Sequence, residues 1–346
     1  MDKKDLRNLT YQEMESEFKA MGLPSFRAKQ VFSWIHEKQA TSFQEMTNLS
    51  KDLRKKLEET YEFHNCKMVR RLESKIDGTI KYLYELYDGE IIESVLMKYR
   101  YGYSVCVSTQ VGCNMKCSFC ASTIDGCVRS LSAGEILDQV YAAIRDTGER
   151  ISNVVLMGMG EPFMNYDNVI RFLTLITDER GVGLGARHIT ISTCGIVPKI
   201  YELMKRNPQY TLSISLHAPN NNIRTKIMPV NRKWDIDELL KACREYTEKT
   251  SRRISFEYAM IHGVNDTDDC AYELADRLSG MLCHVNLIPA NEVRENDYER
   301  SSQERLRAFA ACLESRGIAT TIRRTLGPDI DASCGQLRRK HKKEEV

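Results

Sequence analysis

The stretch VCVSTQVGCNMKCSFCAST, residues 105–123, sets Cys113, Cys117 and Cys120 in a C-x3-C-x2-C spacing, with Cys106 seven positions upstream of the first. Three cysteines this close are suited to hold one metal centre. A structural zinc wants four ligands, and no second C-x2-C knuckle follows. The bacterial ferredoxin run, C-x2-C-x2-C, is not matched either. Three thiolates would leave one iron of a [4Fe–4S] cube without a protein ligand. An open position on a metal centre is where a substrate or cofactor binds, the logic that separates catalytic from structural zinc.

Other residues have chemical potential but ordinary readings beside it. Gly160 and Glu161 lie in MGMGEP, just past an apolar run. Glycines there permit close backbone approach and the carboxylate suits a ligand amine, while an ordinary Gly–Pro turn fits equally well. His217 in SLHAP, taken alone, reads as a satisfied structural histidine. Cys334 in DASCGQL is a lone cysteine, a type that is usually inert. Cys106 alone reads as a buried strand residue, and Glu93 in EIIESVLM as a solvated carboxylate at a strand end. Cys66, Cys127, Cys194, Cys243, Cys270, Cys283 and Cys312 read as structural.

The elements that must position these residues follow a rhythm. Short β-rich runs at SVCVS, NVVLMG, HITIST, YTLSISLH, RISFEYAM and HVNLIP alternate with helical patterns near 133–146, 167–178, 197–206, 235–249, 268–280 and 302–316, and ATTIRR ends the series. Six βα units imply an α/β fold with a parallel sheet and outer helices. Residues with chemistry recur just after successive strands, which favours a partial (β/α)6 TIM-like barrel over an open doubly wound sheet. Residues 1–60 read as a small helical module, with Leu23-Pro24-Ser25 entering one helix and Ser50 capping another. A β-hairpin linker with its turn at Asp88-Gly89 is expected over 61–98, the core over 99–340 and a charged tail over 341–346.

Composition narrows the class. With 346 residues and 42% hydrophobic content, the chain can bury a large core and a smaller one. No apolar run reaches the roughly 18 residues of a membrane span. The opening MDKKDLRNLT has no apolar signal core, which points to a cytoplasmic protein with no membrane partner. Twelve cysteines in such a chain read as metal or redox chemistry rather than a disulfide framework. Net charge is only +2, but Arg323, Arg324, Arg338, Arg339, Lys340, Lys342 and Lys343 cluster near the end against Asp329 and Asp331. That run is a solvated tail or a phosphate contact.

CNMKCSFC resembles the signature of the radical S-adenosylmethionine (SAM) superfamily, with Phe119 as the aromatic before the third cysteine. VCVSTQVGCNMKCSFCAST, MGMGEP, TISTCG, SISLHAP, NLIPAN and GPDIDASCGQL occur in the order found in its dual-specificity RNA methyltransferase (RlmN) family, so the resemblance spans nearly the whole chain. It implies one [4Fe–4S] cluster on Cys113, Cys117 and Cys120, with SAM chelating the remaining iron and being cleaved there to a 5′-deoxyadenosyl radical. It implies that two SAM molecules are consumed per turnover. It also implies SAM contacts from Gly160, Glu161, Ser192, Ser215, Leu216, His217 and Asn291.

The resemblance changes the readings of three further residues. It implies that Cys334 receives a methyl group from one SAM, that a radical from a second activates this S-methyl, and that the carbon joins an adenine ring. Cys106 would then release the RNA through a disulfide with Cys334, and Glu93 would accept the ring proton. The implied partners are 23S rRNA, at an adenine of the peptidyl-transferase region, and tRNA, at an adenine beside the anticodon. An electron donor such as flavodoxin or ferredoxin is also implied, acting on a monomer. Methylation at C2 is the expectation; the Cfr-type resistance methyltransferases, which act at C8, are the alternative.

Overall fold

Thr10 and Ser50 mark helix starts in the sequence. Each side-chain oxygen accepts the backbone N–H three residues on, at Glu13 and Leu53, replacing bonds that a first helical turn lacks. The computed structural model describes residues 3–291, 296–332 and 336. The chain opens with β1 (Lys4–Asp5), α1 (Tyr11–Ala20), α2 (Phe26–His36), α3 (Lys51–Thr60) and β2 (Tyr61–Glu62). Phe18, Val31, Phe32, Ile35 and Leu57 are buried between these short helices.

Four antiparallel strands follow: β3 (Lys67–Glu73), β4 (Ile80–Glu85), β5 (Ile91–Tyr99) and β6 (Gly102–Cys106). The turn at Asp88-Gly89 joins β4 to β5 as its residue types demand, with Gly89 at φ 79°. Strand β3 is an unexpected addition; its polar composition suits the sheet edge it occupies. β7 (Gln110–Gly112) and β8 (Cys127–Ser130) form a separate small ribbon, and α4 (Ala133–Thr147) comes next.

The alternation then runs β9 (Ile151–Leu156), α5 (Tyr166–Ile176), β10 (Ile189–Thr193), α6 (Val197–Lys205), β11 (Thr211–Ser215), α7 (Asn221–Ile227), α8 (Ile236–Thr250), β12 (Ile254–Met260), α9 (Asp268–Leu278), β13 (Cys283–Pro289), α10 (Gln303–Ser315) and β14 (Thr320–Ile322). Among the described residues one ten-stranded sheet has the order β14-β13-β12-β11-β10-β9-β6-β5-β4-β3. From β6 through β14 neighbouring strands are parallel. This is the expected partial (β/α)6 barrel, and the hairpin strands continue its sheet. Val154, Ile191, Ile214, Phe256 and Val285 are fully buried along it; burying a side chain of this size contributes about 1.5–3 kcal/mol.

The N-terminal module is fastened to the barrel through α4. Arg7 and Asp138, both fully buried, form an ion pair at 3.3 Å. Asn8 Oδ1 accepts the N–H of Gly134 at 2.7 Å, where a Cβ would meet Asp5 Oδ2 at 2.6 Å. No described helix is long and apolar enough to cross a membrane.

Candidate active site

The C-terminal ends of the parallel strands converge on one cavity of about 1060 Å³, its open mouth included. Its wall includes Cys113, Cys117 and Cys120, in the loop between β7 and β8, with Gly160, Glu161, Ser192, Ser215, His217 and Asn291 from the following strand ends. Of the SAM contacts expected from the sequence, six line this cavity. Leu216 sits in the core behind the wall instead, its N–H bonded to the Glu257 carbonyl and its own carbonyl accepting from Arg224 Nε.

Backbone bonds from three directions hold the cysteine loop. The Cys113 N–H donates to Gly126 O at 3.0 Å, and the Ser118 N–H to Ile227 O at 2.9 Å, where α7 ends. Ser118 Oγ lies 2.8 Å from the Tyr298 hydroxyl, and Asn296 Nδ2 donates to Ser118 O at 3.1 Å. Thr123 Oγ1 donates to the carbonyls of Cys117 and Cys120, tightening the turn from inside. Among the described residues no three His, Cys, Asp or Glu side chains close on a point where one metal ion would sit. Burial pushes the Cys113 thiol up to about 12 and the Cys117 thiol well above its ordinary value. Only a strongly cationic partner turns such thiols into thiolates, which is what cluster iron provides.

The glycines of MGMGEP are explained by approach distance. A Cβ on Gly158 would meet Val107 O at 2.6 Å, and one on Gly160, at φ 99°, would meet the Gln110 side chain at 2.6 Å. Glu161 is buried, and burial raises its pKa. Its Oε1 accepts the Phe163 N–H at 2.9 Å and its Oε2 the Cys194 N–H at 2.7 Å, tying the loop after β9 to the loop after β10. The Cys194 and Thr193 side chains also hydrogen-bond this carboxylate.

His217 takes the left-handed backbone region at φ 56°. Its Nδ1 lies 2.8 Å from the Ala259 N–H, an obligate donor, so Nδ1 accepts and the proton sits on Nε2. Burial and then Arg224 lower its pKa to about 3. The ring stands edge-on to Phe119 at 4.8 Å between centroids. A neutral imidazole N–H donor therefore lines the cavity beside the cysteine loop.

Sequence reasoning did not single out Glu257, and it read Cys194 as structural and Arg323 as part of a basic run; all three lie on the same wall. Glu257 accepts from Ser213 Oγ at 2.9 Å, Ser255 Oγ at 3.1 Å and Asn286 Nδ2 at 2.8 Å, with Arg323 Nη1 at 3.9 Å. Its signal was a lone carboxylate inside the apolar run RISFEYAM.

A second, smaller cavity adjoins the first and shares Met157, Ile288, Pro289, Asn291 and Arg323 with it. Cys106, at the end of β6, lines this second cavity together with Val95, Met97, Arg324 and Ala332. Cys334 lies outside the described residues, as do Arg338, Arg339, Lys340, Lys342 and Lys343 of the basic run. Among the described residues no two cysteines are joined by a disulfide. Glu93 is neither at a strand end nor solvated: it is buried in mid-β5, and Lys81 Nζ lies 3.0 Å from its Oε1. Glu93 shares a strand face with Val95 and Met97 but does not itself line either cavity.

A barrel whose first loop sets three thiols in the wall of a cavity at the C-terminal ends of its strands has the architecture of a radical SAM enzyme, and residues 107–275 match the model of the radical SAM superfamily. Residues 4–63 match the ribosomal RNA large subunit methyltransferase N-terminal domain. The crystal structure of a radical SAM methyltransferase from Sphaerobacter thermophilus is 45% identical with a TM-score of 0.94, covering 97% of this chain and 100% of that one. Proteins named probable dual-specificity RNA methyltransferase RlmN are 54% identical in Thermoanaerobacter sp. (strain X514), over 98% of this chain and 99% of the relative, and 55% identical in Alkaliphilus oremlandii, over 99% of each. The chain belongs to the dual-specificity RNA methyltransferase RlmN family.

Proposed function

We propose that this enzyme methylates C2 of an adenine in 23S rRNA and of an adenine beside the anticodon in tRNA, acting in the cytoplasm. The observation that carries the reading is the pair of adjoining cavities. One is walled by the three ligand cysteines and the other by Cys106, with Ala332, two positions before Cys334, on the same wall.

Cys113, Cys117 and Cys120 are assigned to hold the [4Fe–4S] cluster, and Gly160, Glu161, Ser192, Ser215, His217 and Asn291 to surround SAM. When bound, these groups supply a methyl donor and, after reduction by a protein such as flavodoxin or ferredoxin, a carbon-centred radical. An adenine C2 is no nucleophile for direct attack on SAM, so the methyl carbon is best carried by the chain itself. Cys334 is assigned that role as an S-methyl thioether. After the carbon has joined the ring, the Cys106 thiolate attacks the Cys334 sulfur. The ring proton passes to Glu93 and the adduct's unpaired electron returns to the electron-donor system. The S–S bond then forms as the bond from sulfur to the methylene carbon breaks, and that carbon, keeping the electron pair, takes up a proton to become the methyl group.

RNA as substrate is supported by the N-terminal module, by Arg323 and Arg324 beside the second cavity, and by a target atom that an enzyme reaches only in an unstacked base. The test is anaerobic reconstitution with iron, sulfide, SAM and a low-potential reductant. Formation of 5′-deoxyadenosine together with C2-methylated adenine in added RNA supports the proposal. A SAM-insensitive cluster spectrum without 5′-deoxyadenosine contradicts it.

A further inference from the structure

From Gly327 to Asp331 four hydrogen bonds tie the segment leading to Cys334 to the turn between β3 and β4 or to β4 itself. Gly327, at φ 56°, donates its N–H to Asp77 Oδ2 at 3.0 Å. Asp329 accepts from Ser74 Oγ at 2.6 Å and from the Lys75 N–H at 3.0 Å. Lys81 Nζ donates to the Asp331 carbonyl at 3.2 Å. Packing leaves little slack, since a Cβ on Gly327 would lie 2.8 Å from Ala332 Cβ and 3.2 Å from Thr79 Cγ2.

Lys81 stands out because it is a buried cation that serves two segments at once. Its ammonium meets Glu93 Oε1 at 3.0 Å, with side-chain exposures of 7% and 3%, and the Asp331 carbonyl with a second donor. A buried, desolvated ion pair is weak evidence for stability, so such a pair needs another reason to be there. Here its geometry fixes the height of the 327–332 segment over the sheet. Strand pairing sets that height: Lys81 faces Val95 and Glu93 faces Leu83, so the pair lies diagonally across β4 and β5. Val95 in turn pairs with Cys106.

We infer that Lys81 and the Ser74–Thr79 turn form a dock that registers the segment leading to Cys334 against Cys106 and Glu93. Lys81 is a positioning residue in this scheme, acting through a carbonyl and a carboxylate, and it touches no substrate. The inference rests on the proposed pairing of Cys334 with Cys106. Its consequence is that losing the dock slows every encounter between the two sulfurs, whether or not RNA is present.

The experiment uses the full-length, cluster-loaded protein held anaerobically and treated with limiting diamide, which oxidises two thiols to a disulfide and is itself reduced to the hydrazine. The Cys106–Cys334 disulfide is followed by peptide mass spectrometry. Lys81→Met is expected to slow its formation at least tenfold, and Lys81→Arg to restore it to within threefold of the parent. Asp329→Ala, at an exposed position that tests the dock without touching the buried pair, is expected to slow it at least threefold and decides the matter if Lys81→Met does not fold. Disulfide formation at the parent rate in Asp329→Ala, or in a folded Lys81→Met, overturns the dock. RNA methylation by Cys334→Ala would instead overturn the underlying reading, so the two failures are separable.

Discussion

The Nδ1 atom of His217 accepts the backbone N–H of Ala259 at 2.8 Å, which fixes the imidazole as a neutral Nε2–H donor lining the larger cavity. A histidine read from sequence as ordinary is thus both structurally satisfied and chemically directed. His217→Ala removes the donor and the edge packing on Phe119. SAM affinity is expected to fall roughly 5- to 30-fold, the worth of one hydrogen bond with its packing, with iron content unchanged. Equilibrium binding of SAM to the cluster-loaded variant checks this, and an unaltered Kd removes His217 from the SAM site.

Glu161→Gln tests the carboxylate that ties two strand-end loops together. A glutamine offers one oxygen where the Phe163 and Cys194 amides each need an acceptor, so one buried N–H loses its partner. The expected cost is about 1–3 kcal/mol of stability, with SAM binding weakened in parallel. Denaturant unfolding of the variant beside the parent measures the first, and equal midpoints contradict the assignment.

His36 predicts a pH dependence of stability. Burial and then Arg7 lower its pKa from 6.5 to about 3, and its buried Nε2 has no hydrogen-bond partner among the described residues. Because the unfolded chain binds this proton more readily, the stability from neutral His36 is complete above pH 6.5 and is lost as pH falls toward 3. The loss approaches about 1.4 kcal/mol per pH unit below 6.5 from this residue. Urea midpoints measured at pH 7.5, 6.5 and 5.5 should fall, and His36→Gln should flatten the slope. A slope unchanged in the variant assigns the acid sensitivity elsewhere.

Cys106→Ala should leave cluster and SAM binding intact yet trap a covalent protein–RNA species, since the second sulfur that releases the adduct is gone. Gel electrophoresis under denaturing conditions with labelled RNA detects it. Free methylated RNA at the parent rate would show that Cys106 is an ordinary strand residue.

How much of this was readable beforehand depended on periodicity and register. The βα rhythm was legible because β9 to β13 are short apolar runs separated by helical patterns, with Asp235 and Thr267 capping α8 and α9. α7 was not, because Asn220-Asn221-Asn222 reads as loop although Asn220 caps the helix through the Ile223 N–H. The grouping of Cys113, Cys117 and Cys120 on one loop was legible from local spacing alone. Lys81 was not singled out; the three-residue loop 87–89, closed by the Leu86 N–H on the Glu90 carbonyl, sets the register that pairs Lys81 with Val95 and Glu93 with Leu83. A lysine in KYLYE and a glutamate in EIIESV, each set among apolar residues on neighbouring strands, carried the signal of a buried pair. Glu257 and Arg323, on β12 and just past β14, meet only through the fold, so no sequence spacing brings them together.

The central claim is methylation of adenine at C2, and nucleoside mass spectrometry tests it most directly. Ribosomal RNA and tRNA from cells with and without the gene are digested and the methyladenosine isomers separated. Loss of 2-methyladenosine from both RNAs, restored by the parent gene but not by its Cys334→Ala form, is the predicted result. Unchanged 2-methyladenosine, or loss of the 8-methyl isomer instead, would contradict the account.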